Sequence, residues 1–344
     1  MKHAIVVLLS ALACWTAHGQ GIVSPPGASS VQVKSVAAAA NPQMEKYGAG
    51  HLMLVKHDFR GLEALYAEAR LDAARDPEGF QAIETFFSCL PGRYGNGVMD
   101  PDVELANARA WVLAFPASVP AATQLARVVL QHASAPGTRS WSLLEEALLE
   151  ARDALERVRQ PGQFDSMWQA ARIGVAGALG SSPRQVLAAV LAADKLDAPG
   201  RVFFNLAVEA MAPGETDAKT ELAALASLAV QRTSKREGRT MYAVVYLRAA
   251  RLASALRREP FGSGWMVWDD MKASLADQQQ RYPETWVTST RGALACLAGD
   301  RATTADMIGT SQPDPSSRWI WQYWGGARLY DRCKAAIRGQ LPAA

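Results

Sequence analysis

Aromatic side chains are the residues of this sequence best suited to binding another molecule. Six of the ten tryptophans lie beyond residue 260, and a rigid ring that lines a groove is a good anchor for a peptide or a sugar. The alternative is packing between helices, because Trp265 and Trp268, like Trp321 and Trp324, are spaced as residues on adjacent helical turns. The candidate binding residues are Trp265, Trp268, Tyr282, Trp286, Trp319, Arg236 and Arg239.

Basic residues form a second candidate surface. Eight of them lie between residues 232 and 258, with Glu237 among them and Glu259 just after. They are Arg232, Lys235, Arg236, Arg239, Arg248, Arg251, Arg257 and Arg258. They form either a solvated loop and helix face or a patch for an anionic surface or an acidic protein partner. The net charge of the whole chain is +3, which is too small to indicate a nucleic-acid partner.

Known catalytic and metal-binding motifs are absent from the sequence. His51 and His57 are six residues apart, so they lie on different sides of a helix, whereas metal-binding pairs are three or four apart. The glycine-rich segment 92–97 follows no strand and is a loop, not a phosphate site. An acidic string could bind calcium but lacks the EF-hand spacing; its residues are Asn96, Asp100, Asp102 and Glu104. We predict no catalytic residue, no metal and no cofactor.

The cysteines predict one disulfide. Cys296 and Cys333 are 37 residues apart, close to one helical hairpin, with a helix expected over 302–308 between them. Facing side chains on helices 8–10 Å apart can bring their Cα atoms within the roughly 7 Å that a disulfide tolerates. Cys89 follows two phenylalanines and is expected to be a small core residue. The alternative is three buried, reduced thiols.

Helices must position these side chains, because start signals recur without any convincing strand. Asp76-Pro77, Asp100-Pro101 and Ser182-Pro183 each place a capping residue before a proline. Pro283 is expected to be the first residue of another helix. Gly299-Asp300 should end that helix and begin the next. Longer helices are predicted over 202–211, 221–232, 241–257, 265–280 and 319–337.

About fourteen short helices in all would form either an irregular bundle or a stacked array. Pro116, Pro199 and Pro283 are 83 and 84 residues apart, and each precedes a predicted helix. This spacing favours stacking of helical hairpins. We therefore predict an all-α, tetratricopeptide-like array of αα-hairpins, an irregular right-handed solenoid, as a single domain.

Several motifs resemble one known family. The motifs are Tyr242-Ala243-Val244-Val245-Tyr246, Trp268-Asp269-Asp270-Met271, Arg281-Tyr282-Pro283 and Ala295-Cys296-Leu297-Ala298-Gly299-Asp300. Together they resemble a proteobacterial family of exported helical proteins known only as a domain of unknown function. The resemblance covers about residues 51 to 333 and implies one domain of tetratricopeptide-like helices. It implies no activity and no site residues.

The first residues have the pattern of a secretory signal. Lys2 and His3 precede an apolar run over 4–15 that is too short to span a bilayer, and 17–19 ends in small residues suited to signal peptidase. Cys14 raises the alternative of a lipoprotein, but Ala11 stands where that motif has a large aliphatic residue. We expect a signal peptide at 1–19, a flexible leader at 20–43 and a helical-repeat domain at 44–340.

These observations favour a periplasmic or secreted, non-catalytic binding or scaffold protein of the bacterial envelope. Its groove would engage a protein partner, because solenoids present extended concave surfaces. The alternatives are a cell-wall-active hydrolase that uses carboxylates beside exposed tryptophans, with glycan as its ligand, and a purely structural envelope component. No later segment of the sequence is predicted to cross a membrane.

Removal of the signal peptide is directly testable. The mature protein should begin at or near Gln20, because signal peptidase cleaves after small residues such as Gly19. Intact mass of the protein from the periplasmic fraction checks this. A cytoplasmic protein that retains Met1 would contradict export, and a diacylglycerol on Cys14 would show a lipoprotein.

Overall fold

The computed structural model describes residues 41–339, with gaps at 92–99, 134–140, 194–195, 197–198, 213, 215, 263, 284, 311–317 and 327. The described residues form helices and no β-strand; one isolated bridge pairs Arg75 with Gln81. The helices are α1 (Pro42–Tyr47), α2 (Ala49–Val55), α3 (Phe59–Leu71), α4 (Ala82–Cys89), α5 (Pro101–Ala114), α6 (Val119–Ala133), α7 (Trp141–Arg157), α8 (Arg159–Gly162), α9 (Ser166–Ala178), α10 (Pro183–Ala192), α11 (Arg201–Ala210), α12 (Lys219–Glu237), α13 (Thr240–Leu252), α14 (Ser254–Arg258), α15 (Trp268–Arg281), α16 (Thr285–Leu297), α17 (Arg301–Thr310), α18 (Arg318–Gly325) and α19 (Leu329–Ile337).

Three of the predicted caps begin helices. Asp100 accepts a hydrogen bond from the backbone N–H of residue 102 at the start of α5 (2.8 Å), and Ser182 forms a capping box at the start of α10. Asp300 accepts from the N–H of Thr303 at 3.0 Å and begins α17, while Gly299 takes a φ of 75° that glycine tolerates best. The predicted start at Pro283 is two residues early, since α16 begins at Thr285.

The predicted helix start at Asp76 is wrong. Its carboxylate accepts hydrogen bonds from the N–H groups of Glu78 (2.9 Å) and Phe80 (2.8 Å), which closes a turn. Gly79 has a φ of 88°, so the chain cannot continue as a helix. Helix α4 begins later, at Ala82, where Glu84 accepts a hydrogen bond from the backbone of Gln81.

Two predicted long helices are each divided in two, which is one reason why the structure has more helices than expected. Residues 241–257 fall in α13 and α14, because Ala253 takes an extended conformation with ψ 103°. Residues 319–337 fall in α18 and α19, which are separated at Gly326, with a φ of 80°. No glycine or proline marks the first break, which lies in an alanine-rich segment. The second break is marked by the Gly325-Gly326 pair, which is a recognisable stop signal.

Alternate helices pack against each other along the second half of the chain. Helices α9, α11, α13 and α15 contact one another in succession, while α16 contacts α15, α17, α18 and α19. A continuous hydrophobic cluster extends from Tyr47 in α1 to Cys333 in α19. None of the helices in the described ranges has the length and apolar character required to cross a membrane.

A disulfide joins two helices near the C-terminal end of the chain. Cys296 in α16 and Cys333 in α19 are bonded, with their Cα atoms 5.9 Å apart. Two helices, α17 and α18, lie between them in the chain, where the sequence suggested a single one. Cys89 lies outside this bond and is buried in α4. The disulfide therefore ties α19 directly to α16, and α18 is enclosed within the loop that it closes.

Loss of this disulfide should destabilise the fold. The double variant Cys296→Ser, Cys333→Ser should lose about 3–4 kcal/mol of unfolding free energy, since the cross-link limits the freedom of the unfolded chain. Urea unfolding followed by circular dichroism measures the loss. A reductant should lower the midpoint of the wild-type protein and of Cys89→Ala but not that of the double variant. Equal sensitivity of all three would contradict the assignment.

Candidate binding cavity

A cavity of about 150 Å³ lies among α4, α6, α11, α13, α15, α16 and α18. Half of its twenty described lining residues are aromatic or aliphatic, and six are charged. This combination is typical of ligand sites, where apolar walls supply affinity and a few polar groups fix orientation. The cavity is therefore the candidate functional site.

Aromatic rings form one wall of the cavity. Trp286 comes from α16, and Trp319, Tyr323 and Trp324 come from α18. Trp319 and Tyr323 share one face of α18 because they are four positions apart, and the adjacent Trp324 also lines the cavity. Trp319 is 37% exposed although it lines the cavity, so it lies where the cavity meets solvent.

Helix α11 presents a polar stripe to the cavity. Arg201, Asn205 and Glu209 all line it and recur every four residues, so they share one helix face. Eight residues at 1.5 Å each place Arg201 and Glu209 about 12 Å apart along the helix axis. The two charged residues therefore mark two different ends of the cavity.

The end at Glu209 is rich in arginine. Arg248 in α13 forms a buried ion pair with Glu209 and donates a hydrogen bond to it from Nη2. Arg251, one turn further along α13, also lines the cavity. Burial, together with the neighbouring charge of Arg248, lowers the pKa of Arg251 to about 10. Burial raises the pKa of Glu209, and the charge of Arg248 opposes this.

Arg201, towards the other end, belongs to a buried ionic cluster centred on Glu237, the last residue of α12. This carboxylate is 2% exposed. Arg75 Nη1 lies 2.9 Å from its Oε1 and Arg201 Nη2 lies 3.8 Å from its Oε2. Tyr282 donates a hydrogen bond from its hydroxyl to Oε2 at 3.0 Å. The four residues come from four separate parts of the chain, which the cluster holds together.

The turn before α4 is fixed against the same cluster. Glu84 accepts a hydrogen bond at 2.6 Å from the backbone N–H of Val202, the second residue of α11. Burial raises the pKa of Glu84, an effect that the backbone hydrogen bonds oppose. Gly79 lies against the ring of Tyr282, where an added Cβ would be 2.5 Å from the ring carbon Cζ. Only glycine permits that approach at a positive φ.

The predicted binding residues are divided between the cavity and other positions. Trp286 and Trp319 line the cavity, and Tyr282 belongs to the Glu237 cluster. Trp268 donates a hydrogen bond from Nε1 to Asp300 at 3.0 Å, which connects α15 to the start of α17. Trp265 is half-buried and packs against the hydrophobic core. Trp268 and Trp265 are thus packing residues in this structure.

The predicted basic patch does not form one surface. Arg232 donates hydrogen bonds to the carbonyl groups at the end of α10, including that of Ala193 at 3.1 Å. Arg239 forms an exposed ion pair with Asp270, and Arg236 is exposed, with its carbonyl accepting from Arg281. Arg236 and Arg239 are not among the described residues that line the cavity, whereas Arg248 and Arg251 are.

Arg201, Glu209 and Tyr323 were not among the predicted binding residues. The signal for the first two is present in the sequence, because Arg201, Asn205 and Glu209 interrupt an otherwise apolar helix at four-residue spacing. Arg201 pairs with Glu237 and Glu209 pairs with Arg248, and the partners in each pair are 36 or more positions apart in the sequence. Spacing within a helix cannot predict such partners.

Histidines and acidic residues have structural contacts. His51 Nδ1 lies 3.1 Å from the carbonyl oxygen of Leu90, and His57 Nε2 lies 3.1 Å from Oδ1 of Asn107. Within the described ranges, no group of three His, Cys, Asp or Glu side chains could hold a metal ion. Asn96 of the acidic string lies outside the described residues, and Asp100 caps α5.

Comparisons of the chain with protein-family models, with curated protein sequences and with solved structures find no match. The resemblance to a family of exported helical proteins therefore stays a prediction.

Substitution of Glu237 tests the ionic cluster. Glu237→Gln should lower the free energy of unfolding by about 3 kcal/mol, because it leaves the buried guanidinium of Arg201 and the half-buried one of Arg75 without their counter-charge. Tyr282→Phe removes one hydrogen bond to the same carboxylate and should cost about 1 kcal/mol. Urea unfolding measures both values. Equal losses in the two variants, or no loss in Glu237→Gln, would contradict a structural role for the ion pairs.

Proposed function

We propose that this chain is an exported, non-catalytic binding or scaffold protein of the bacterial envelope, which holds a segment of a partner protein in the cavity. The proposal includes a tetratricopeptide-like stacking of the helices in a single domain. The observation that carries it is the lining of the cavity, where Trp286, Trp319 and Trp324 face arginines on α11 and α13. Tryptophan and arginine are the residues most enriched at protein-binding hot spots.

The exposure of Trp319 supports access from solvent. A partner segment can reach the aromatic wall there without any large opening of the helices, since the ring is both exposed and part of the lining. Packing of an apolar side chain against Trp319 and Trp324 would remove apolar surface from water, at about 25 cal/mol per Å².

The hydrolase alternative is disfavoured by the positions of the carboxylates. Glu78 and Glu209 are the acidic residues among the described lining. Glu78 adjoins Gly79, which lies against Arg201, and Arg201 is about 12 Å along α11 from Glu209. Glycosidases hold their two carboxyl groups about 5–9.5 Å apart. Glu209 is, in addition, ion-paired with Arg248.

Site-specific cross-linking in the native host tests the proposal. A photoreactive amino acid at position 319 should cross-link the protein to one partner, because that side chain lies at the mouth of the cavity. The matched control is position 113 in α5, where Leu113 is 84% exposed and is not part of the described lining. Mass spectrometry of the cross-linked species identifies the partner.

If the partner binds in the cavity, the photoreactive residue at position 319 should give a cross-linked partner protein, and the one at position 113 should not. The same products from both positions, or none from either, would reject the proposed function. Cross-linked glycan at position 319 in place of protein would favour the cell-wall alternative.

A further inference from the structure

The cavity has a buried ion pair towards each of its ends. Arg248 is paired with Glu209 at one end, and Arg201 Nη2 lies 3.8 Å from Oε2 of Glu237 towards the other. The side chains of Arg201 and Arg248 are buried. Since each of these two cations has a carboxylate partner, the pairs favour neither an anionic nor a cationic ligand. Recognition therefore depends on the apolar half of the lining.

The volume of the cavity suits one six-membered ring. The cavity measures about 150 Å³, and an apolar cavity of about that size in another protein binds benzene. A partner segment can therefore insert a single side chain, while its backbone stays at the mouth beside the partly exposed Trp319. One anchor residue in a pocket is a common arrangement at protein interfaces.

Aromatic rings in the lining make contacts that depend on ring geometry. Tyr323 and Trp324 meet edge to face, with their ring centroids 5.3 Å apart. The guanidinium Cζ of Arg201 lies 5.9 Å from the ring centroid of Phe80, and that of Arg257 lies 5.0 Å from the ring centroid of Tyr323. Ring faces are electron-rich and ring edges are electron-poor, so rings attract one another edge to face and attract guanidinium groups over their faces.

This electrostatic pattern distinguishes an aromatic guest from an aliphatic one. A phenyl ring can present its edge to the rings of the wall and its face to a guanidinium of the lining. An aliphatic side chain of the same size has only its apolar surface to bury. The complementarity lies in the charge distribution of the ring and requires no net charge on the ligand.

We propose that the cavity receives the phenyl ring of one phenylalanine in the partner segment. The ring enters past Trp319 and packs on the aromatic wall that includes Trp324, in a cavity that Phe80 and Arg201 also line. The inference rests on the proposed function and adds the anchor residue by which the partner is recognised.

Two blocked amino acids with the same carbon skeleton test the proposal. N-acetylphenylalanine amide is compared with N-acetylcyclohexylalanine amide, whose saturated ring is more apolar but has no π system. Ligand-observed NMR titration of the wild-type protein should give a dissociation constant at least about threefold lower for the phenyl compound. Burial of apolar surface alone predicts the opposite order, because the saturated ring is the more apolar of the two.

A variant that fills the cavity assigns the binding site. Val244 of α13 lines the cavity, and Val244→Phe should weaken binding of the phenyl compound at least about tenfold, because the new ring occupies the space. Val103→Phe is the matched control, since Val103 in α5 is 48% exposed and is not part of the described lining. It should bind the phenyl compound as the wild-type protein does. Thermal unfolding by circular dichroism verifies that each variant is folded.

A second variant changes the selectivity and leaves the space open. Phe80→Leu removes one ring of the lining and should bring the ratio of the two dissociation constants close to one, because the phenyl compound loses an aromatic contact. This variant decides the question if Val244→Phe does not fold.

Three results would overturn the proposal: equal or tighter binding of the cyclohexyl compound by the wild-type protein, wild-type affinity for the phenyl compound in folded Val244→Phe, or an unchanged ratio in Phe80→Leu. The outcomes for the two proposals are separable. A cross-linked partner at position 319 without a phenyl preference rejects only the recognition of phenylalanine. A phenyl preference without any cross-linked protein rejects the partner-binding function.

Discussion

The carboxylate of Glu237 is the constraint on which the geometry of the cavity depends. It receives Arg75 from the turn before α4, Arg201 from α11 and Tyr282 from the end of α15. A carboxylate removed from water is stable only when such partners compensate the lost hydration. The requirement holds the turn before α4 against residues that lie 126 to 207 positions further along the chain, among them Arg201 of α11.

The same helix connects this cluster to the proposed binding site. Arg201 at the start of α11 pairs with Glu237, and Glu209 near its end pairs with Arg248. Each end of this helix face thus holds a buried ion pair. The two ion pairs join α11 to α12 at one end and to α13 at the other.

The aromatic wall depends on a covalent constraint. Helix α18, which provides Trp319, Tyr323 and Trp324, has only eight residues, and isolated helices of that length are marginal in water. It lies within the loop closed by the bond between Cys296 and Cys333, and it packs against α16 and α19. The disulfide therefore restricts the motion of the segment that carries the aromatic face.

The sequence by itself determined the helical class and several helix boundaries, and it predicted the disulfide as one of two alternatives. Those features are local or follow from simple spacing: Asp100, Ser182 and Asp300 cap helices because a short polar side chain reaches the next N–H groups. Only the tertiary structure decided that Asp76 closes a turn, that Trp268 anchors Asp300, and that Arg201, Glu209 and Arg248 share one cavity. The physical reason is that a charged side chain in a helix is equally compatible with solvent and with a buried partner. Which of the two it meets is decided by the packing of distant helices.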